Sequence, residues 1–158
     1  MPAIRGLIFR KVKKMANELG TIGNQLQVGD GASPEVFTII GGTQGVPSVG
    51  GGSGEQIDIT SMEDLQRVYL KGYKTPPNLT VTINIRKGDT EQAQLEADDA
   101  SASKVVRNYR VTEPNGTDVI MSFAAYVNNF SVSSTAGDAV RGEVEFILEG
   151  RPTFDCLA

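Results

Sequence analysis

The side chains that could carry chemistry in this sequence are mostly carboxylates, because its 158 residues include no histidine and only one cysteine, Cys156. Without histidine, the Ser-His-Asp and Cys-His catalytic arrangements and the histidine-ligated zinc sites are excluded. Cys156 has no histidine to activate it, and a single cysteine cannot form an intramolecular disulfide. The sequence predicts no catalytic residue, so we do not expect an enzyme.

The densest group of carboxylates has the residue types needed for acid–base or metal chemistry. It consists of Glu91, Glu96, Asp98 and Asp99. These residues approach the C-terminal end of a predicted helix and lack the spacing of an EF-hand calcium loop. We interpret them as a solvated helical face, and we expect neither a metal site nor a cofactor.

Residues 41–54 form a glycine-rich stretch, GGTQGVPSVGGGSG, with seven glycines in fourteen positions. These are Gly41, Gly42, Gly45, Gly50, Gly51, Gly52 and Gly54. No Gly-Lys-Ser/Thr follows and no GxGxxG pattern opens a helix, so we expect no nucleotide phosphate site. Because the stretch has no side chain large enough to anchor a core, we predict a long flexible loop.

The charge of the chain is unevenly distributed. Residues 1–14 carry five bases and no acid, for a net charge of +5, whereas the other 144 residues carry 10 bases and 19 acids, for a net charge of −9. The body of the protein should therefore repel nucleic acid. A chain of this length, with 39% apolar and 22% charged residues, fits one globular domain.

The first 18 residues are predicted to form a basic amphipathic extension ahead of a single domain over residues 19–158. Their apolar residues recur at helical spacing: Ile4, Leu7, Ile8, Val12, Met15 and, just beyond, Leu19. Such a helix would suit a membrane surface, an acidic partner or RNA. The alternatives are a solvated arm, or an upstream start to a chain that works from Met15. No secretory signal or membrane-spanning run is recognisable, so we expect a protein made and kept inside the cell, with no membrane partner.

Beyond residue 20 the pattern changes to short apolar runs separated by glycine, proline and asparagine, which is typical of a β domain. Strands are predicted at residues 36–40 and 56–60, with a helical turn over residues 61–67. Strict alternation over residues 79–85 predicts a strand with one buried face. Asp89 and Gln92 resemble a capping box, which predicts a helix that begins there.

A long β-hairpin is the strongest local signal. Residues 104–112 and 117–134 flank the turn sequence Pro114-Asn115-Gly116, and the second arm is long enough that we expect a bulge near Asn128 and Asn129. A final strand over residues 139–149 places its apolar side chains on one face and its charged ones on the other. The apolar set is Val140, Val144, Phe146 and Leu148, and the charged set is Arg141, Glu143, Glu145 and Glu149.

The succession of these segments resembles the major tail tube protein of long-tailed bacteriophages, over about residues 19–154. The matching stretches are LGTIGNQLQVGDG, EVFTIIGGTQGVPSVGGG, IDITSMED, DTEQAQLEADDASAS, YRVTEPNGTDVIMSFAAYVNNFSVSS and AGDAVRGEVEFILEGRPTF. The most specific portion is the last, where a PNG turn, a long strand, a GDAV turn and a strand ending in EGRPTF follow in order. Family members begin near MANELGTIG, so residues 1–14 inherit no family role.

The resemblance implies a mainly β fold, a two-sheet β-sandwich or barrel with one flanking α-helix, and six-membered rings that stack into a hollow tube. It implies a virion tail assembled in the host cytoplasm, a tape measure protein and tail terminator and tip proteins as partners, and DNA only as transiting cargo. On this basis we predict that Glu143, Glu145 and Glu149 face the lumen and that the glycines of residues 41–54 form an inter-ring loop.

Two other functions remain open from the sequence. A secretion-system tube protein of similar fold would also stack hexameric rings. A soluble protein-binding β-sandwich would instead be monomeric or dimeric and would expose a pocket or an aromatic patch.

Overall fold

The computed structural model describes residues 22–158, and the predicted basic extension therefore lies outside the described residues. Within them the chain forms eight strands, one α-helix and a short C-terminal 3-10 helix. The elements are β1 (Gln25–Gly29), β2 (Phe37–Ile39), β3 (Ser53–Asp58), β4 (Tyr69–Thr75), β5 (Leu79–Asn84), α1 (Thr90–Ala100), β6 (Arg107–Thr112), β7 (Val119–Ser133), β8 (Arg141–Thr153) and the 3-10 turn Asp155–Leu157. The predicted mainly β fold, with two sheets and one flanking helix, is confirmed.

The larger sheet has six antiparallel strands in the order β2-β1-β6-β7-β8-β5, and β3 pairs only with β4 in a separate two-stranded sheet. The two edges of the larger sheet meet through residues 42–44. After β2 the chain crosses to β5, where Asn84 N donates to Gly42 O (2.7 Å) and Gln44 N donates to Thr82 O (3.0 Å). This crossing closes the sheet into a barrel, which leaves its edges paired rather than open at this point.

The core fills the inside of this barrel and follows the alternation that the sequence predicts. In β5 the residues Leu79, Val81 and Ile83 are buried while the threonines between them face outward. Facing strands contribute Val144 and Phe146 of β8. Val140, which we expected on the same face, lies before β8 and is 41% exposed, so that prediction is wrong.

A bulge changes the direction of side chains half-way along β7, as the sequence predicts. Val127 pairs with Phe146, but the next pair is Asn129 with Glu145, so one residue is skipped. Because a one-residue insertion exchanges the two faces of a strand, Phe130 comes opposite the buried Val144 and turns inward. The same shift places Asn129 and the residues at alternate positions after it on the outer face.

The helix α1 begins where the sequence predicts, with Asp89 as its N-cap accepting from the backbone N–H groups of Glu91 and Gln92 (both 3.1 Å). The second half of the predicted capping box is wrong. The side chain of Gln92 is buried and turns to the barrel, where it donates to Gly41 O (2.7 Å) and Asn84 O (2.9 Å) and accepts from Arg86 N (2.9 Å). Asn84 ends β5, Arg86 follows it and Gly41 follows β2, so the three hydrogen bonds of Gln92 fasten the helix to the barrel.

Two local predictions between β3 and β4 need correction. Residues 61–67 are not helical, because Ser61 and Asp64 close a tight turn in which the Asp64 carboxylate accepts from Ser61 N (2.8 Å) and Ser61 Oγ (3.1 Å). The strand β4 was not predicted at all. It pairs with β3 in a hairpin in which Ile57 lies opposite Leu70.

Candidate functional site

The outer face of the barrel across β5, β8 and β7 is polar and free of covering elements among the described residues. Register places Glu143 between Thr82 and Ser131, and Glu145 between Thr80 and Asn129. The face is therefore made of these six side chains: Thr80, Thr82, Asn129, Ser131, Glu143 and Glu145. We call it the outer polar face. All six are exposed or half-buried, and the only charges among them are the two carboxylates.

Two of the three acidic residues predicted for the lumen lie together on this face. Glu145 also accepts a hydrogen bond from Asn78 Nδ2 (2.7 Å), which holds its carboxylate near the start of β5. Glu149 points to the same side of β8, but it lies six residues from Glu143, about 20 Å along an extended strand. There it forms an ion pair with Lys104, whose Nζ also lies 5.0 Å from the centre of the Tyr126 ring.

The glycine-rich loop is held to the barrel at more points than its composition suggests, and the expectation that nothing anchors it is wrong. Val46 and Val49 are partly buried against the core, and Thr43 forms a bridge to Ile83. Gly54 is not in the loop, because it belongs to β3 and pairs with Lys74 of β4. At the C-terminal end of the glycine-rich stretch, pairing with β4 therefore produces a strand in spite of the high glycine content.

The other predicted loop glycines are distributed along this path. Gly41 and Gly42 lie beside α1 and the end of β5, and Gly51 lies near the Arg151 side chain. Gly52 opens the β3–β4 hairpin with φ of +80°, and a Cβ there would overlap the carbonyl of Thr75. Only glycine fits this turn without strain. Gly45 and Gly50 have open space around them.

One member of the carboxylate cluster is buried, which corrects the interpretation of the cluster as a solvated face. The side chain of Asp98 is 7% exposed and binds Arg107 through two contacts, Nε to Oδ2 (2.6 Å) and Nη2 to Oδ1 (3.0 Å). The hydrogen bond to Asp98 raises the pKa of Arg107 above its usual value. The pair joins the last turn of α1 to the first residue of β6, so it positions the helix.

The β3–β4 hairpin carries an apolar face that nothing in residues 22–158 covers. Alternation and register place four aliphatic side chains on that face, and each of them is between 40 and 54% exposed: Ile57, Ile59, Val68 and Leu70. We call these residues the aliphatic face of the hairpin. The opposite face is mostly polar and includes Asp58 and Lys71. The two-residue period of Val68 and Leu70 could have indicated this strand in the sequence, but the neighbouring tyrosines and lysines obscured it.

A groove between the start of α1 and the end of β7 is a second apolar surface. It has a volume of about 520 Å³ and is lined on its apolar side by Ile85, Ala93, Phe130 and Val132. We call it the α1–β7 groove. Asp89 and Glu96 lie at its rim, together with Arg86.

Within the described part of the chain no three side chains of the metal-binding types come close enough to hold an ion. Cys156 is exposed in the C-terminal turn. None of the helices between residues 22 and 158 is long and apolar enough to cross a membrane.

Comparison with known proteins gives similarity in structure but not in sequence. No protein-family model matches the chain, and no curated protein matches it. In structure it is similar to a chain in the tail of an empty GTA particle with C6 symmetry, at 16% identity and a TM-score of 0.60 over 87% of this chain and 98% of that chain. It is similar to a chain of the SPP1 tail tube, at 17% identity and a TM-score of 0.58 over 84% of this chain and 77% of that one.

The chain has the fold of a tail tube protein. The same fold extends to a chain in the sheath/tube terminator of PVC, an extracellular contractile injection system, at 16% identity and a TM-score of 0.60 over 88% of this chain and 97% of that chain. In each case between 84 and 88% of this chain is covered. At these identities the likeness establishes the fold.

Proposed function

We propose that this chain is the major subunit of a bacteriophage tail tube, a structural protein and not an enzyme. Six copies form a ring, and stacked rings form a hollow tube in the virion tail through which DNA passes into the host. The observation that carries the proposal is the likeness over 87% of the chain to a subunit of a tail with C6 symmetry.

The unburied surfaces of the single subunit support assembly. An isolated two-stranded hairpin is marginally stable in water, and four exposed aliphatic side chains on one face make it less favourable still. No described part of the chain covers the aliphatic face of the hairpin, and contact with another chain would remove it from water. Repeated contacts of one surface with a different surface build rings or open stacks.

The outer polar face is the surface that we assign to the lumen. Its threonine, serine and asparagine side chains offer no cation to a phosphate, and Glu143 and Glu145 repel phosphate. We place Glu149 at one end of the same wall, where its pairing with Lys104 reduces its charge. DNA and a tape measure protein would then pass without being held.

We assign the glycine-rich loop to contacts between rings, together with the start of the hairpin that it leads into. Gly45 and Gly50 have open space around them, so these parts of the loop can adapt to a neighbouring subunit. The tail terminator and tip proteins are the expected partners at the two ends of the tube.

A second candidate is the tube of a contractile injection system, and the similarity to the PVC terminator supports it. Both candidates use stacked hexameric rings. A sheath protein gene beside the gene for this chain would favour a contractile machine.

The proposal is tested by assembly of the purified full chain. Light scattering should detect particles that grow with protein concentration, and negative-stain microscopy should show rings with six-fold symmetry or hollow tubes. The matched control is Leu70→Asp, which puts a charge on the aliphatic face of the hairpin and should prevent growth while the barrel remains folded by circular dichroism. A wild-type chain that stays monomeric across wide ranges of concentration and salt would overturn the proposal.

A further inference from the structure

A cavity of about 540 Å³ lies at the end of the barrel where β1 begins, β6 ends and β7 starts. Its apolar wall is formed by Leu26, Val46, Val111, Ile120 and Met121, and no charged side chain of residues 22–158 lines it. We call this space the barrel-end cavity. Three of the five apolar residues belong to the core and the other two pack against it. Because protein interiors hold few voids larger than a water molecule, a space of this size beside the core should receive apolar side chains.

The described part of the chain starts beside this cavity. Gly23 and Asn24 both line it, and the nearest large apolar residues before Ile22 in the sequence are Leu19 and Met15. Leu19 precedes Gly23 by four residues, a reach of about 13 Å in extended chain, so it can enter the cavity without crossing the barrel. The Oδ1 atom of Asn24 is buried and has no hydrogen-bond partner in the described range. An arriving backbone N–H group would supply a partner for it.

The charges at this end of the barrel favour the same segment. Gly23 lies against the turn between β6 and β7, since a Cβ on it would be 3.2 Å from Cγ of Pro114. That turn carries Glu113 and Asp118 and no base. Residues 10–14 carry four bases and no acid. When the apolar residues that follow these bases enter the cavity, the bases come near the acidic turn, where opposite charges attract.

We propose that residues 15–19 dock on their own barrel and place the side chains of Leu19 and Met15 in the barrel-end cavity. The occupant is the same chain and not a second copy, because so short a connection to Gly23 gives the segment a high effective concentration at the cavity.

Docking also determines where the bases of the N-terminal extension lie. The cavity contains Met121, and Asn129 of the outer polar face lies eight residues farther along β7, about 26 Å in an extended strand. The bases are therefore kept away from the face that we assign to the lumen. This consequence rests on the proposed function, whereas the docking itself does not.

The docking can be tested by disulfide formation in dilute, unassembled full-length chains in which Cys156 is replaced by serine. A chain with both Leu19→Cys and Val46→Cys should form a disulfide within itself under mild oxidation, seen as a faster monomer band on a non-reducing gel. The matched control pairs Leu19→Cys with Val49→Cys, which is also partly buried against the core but does not line the cavity. It should form at least about tenfold less disulfide, because the bond requires close approach of the two Cβ atoms. Met15→Cys with Val46→Cys provides a second pair if Leu19→Cys fails to fold.

Thermal unfolding gives an independent measurement. Leu19→Ser should lower the thermal midpoint by about 4–10 °C, because the variant loses the burial of a leucine side chain. Ile4→Ser, an equivalent loss of an aliphatic side chain ahead of the bases, is the control and should change the midpoint by less than about 2 °C.

The alternatives give different results. A disulfide that joins Leu19→Cys of one chain to Val46→Cys of another would show that a second copy occupies the cavity, and this would overturn the inference. Equal cross-linking at Val46→Cys and Val49→Cys, or a midpoint for Leu19→Ser no lower than that of Ile4→Ser, would also overturn it. Either failure would leave the proposed function standing, since both measurements are made without assembly. If the docking is found but no ring or tube is ever seen, only the tube function fails.

Discussion

Replacement of Asp98 by asparagine tests the buried ion pair that fastens α1 to the barrel. The substitution keeps the shape of the side chain but removes the charge that two nitrogens of Arg107 contact at 2.6 and 3.0 Å. Loss of one partner of a buried pair costs about 3–5 kcal/mol, because the remaining charge stays buried. Arg107 is 23% exposed and asparagine still offers one acceptor oxygen, so we expect a loss of about 2–3 kcal/mol.

The assay is urea unfolding of dilute, unassembled protein followed by circular dichroism. The midpoint should fall without a change in the slope m, since the folded barrel keeps its compactness. For a domain of this size each kcal/mol corresponds to about 2–4 °C, so the thermal midpoint should drop by about 4–12 °C. Glu96→Gln, an exposed carboxylate in the same helix, is the control and should change stability by less than about 0.5 kcal/mol.

A double-mutant cycle with Arg107→Met separates the pair from the effect of each residue alone. We expect a coupling energy of about 1–3 kcal/mol between residues in direct contact. If Asp98→Asn destabilises the protein no more than Glu96→Gln does, then Asp98 is a solvated carboxylate as the sequence alone suggested. The ion pair would then have no role in positioning the helix.

Two further predictions concern the lumen and the core. Glu143→Lys should leave tubes intact but make them retain DNA at low salt and release it as the salt concentration rises. The control is Glu63→Lys, an equal change of charge in the exposed β3–β4 turn, which should not cause DNA retention. Equal retention of DNA by both variants would show that the outer polar face does not line the lumen. Burial raises the pKa of Tyr109, whose hydroxyl has no hydrogen-bond partner among the described residues. The unfolded chain therefore loses this proton first, near pH 10, and stability should fall above that pH by up to about 1.4 kcal/mol per pH unit. The Tyr109→Phe variant should not lose stability in this way above pH 10, and its free energy of unfolding at neutral pH should be about 1 kcal/mol higher. If the free energies of unfolding of the two proteins fall in parallel above pH 10, the argument is refuted.

The strands that the sequence predicted well are those in which one face is buried and the other is not. In β5 the alternation of Leu79, Val81 and Ile83 with polar residues follows directly from the two-residue period of a strand, so each residue reports its own face. The N-cap at Asp89 and the bulge after Val127 were also predictable, because both depend on neighbouring residues. The lack of histidine excluded whole classes of chemistry before any fold was known.

The missed features depend on residues that are distant in the sequence. Asp98 and Glu96 are two positions apart in one acidic helix, and only the approach of β6 buries the first and leaves the second in water. Gly42 and Thr43 look like loop residues until the free edge of β5 pairs with them, since an unpaired edge attracts any backbone within reach.

The sequence by itself determined the alternating strand β5, where the helix starts and that the chain lacks histidine-dependent chemistry. Tertiary structure alone decided how the barrel closes, which carboxylate is buried and which apolar faces are left uncovered. The physical reason is that alternation records the two sides of a strand but not what lies against each side. The aliphatic face of the hairpin has the same local pattern as the buried face of β5, and only the packed structure shows that nothing in residues 22–158 covers it.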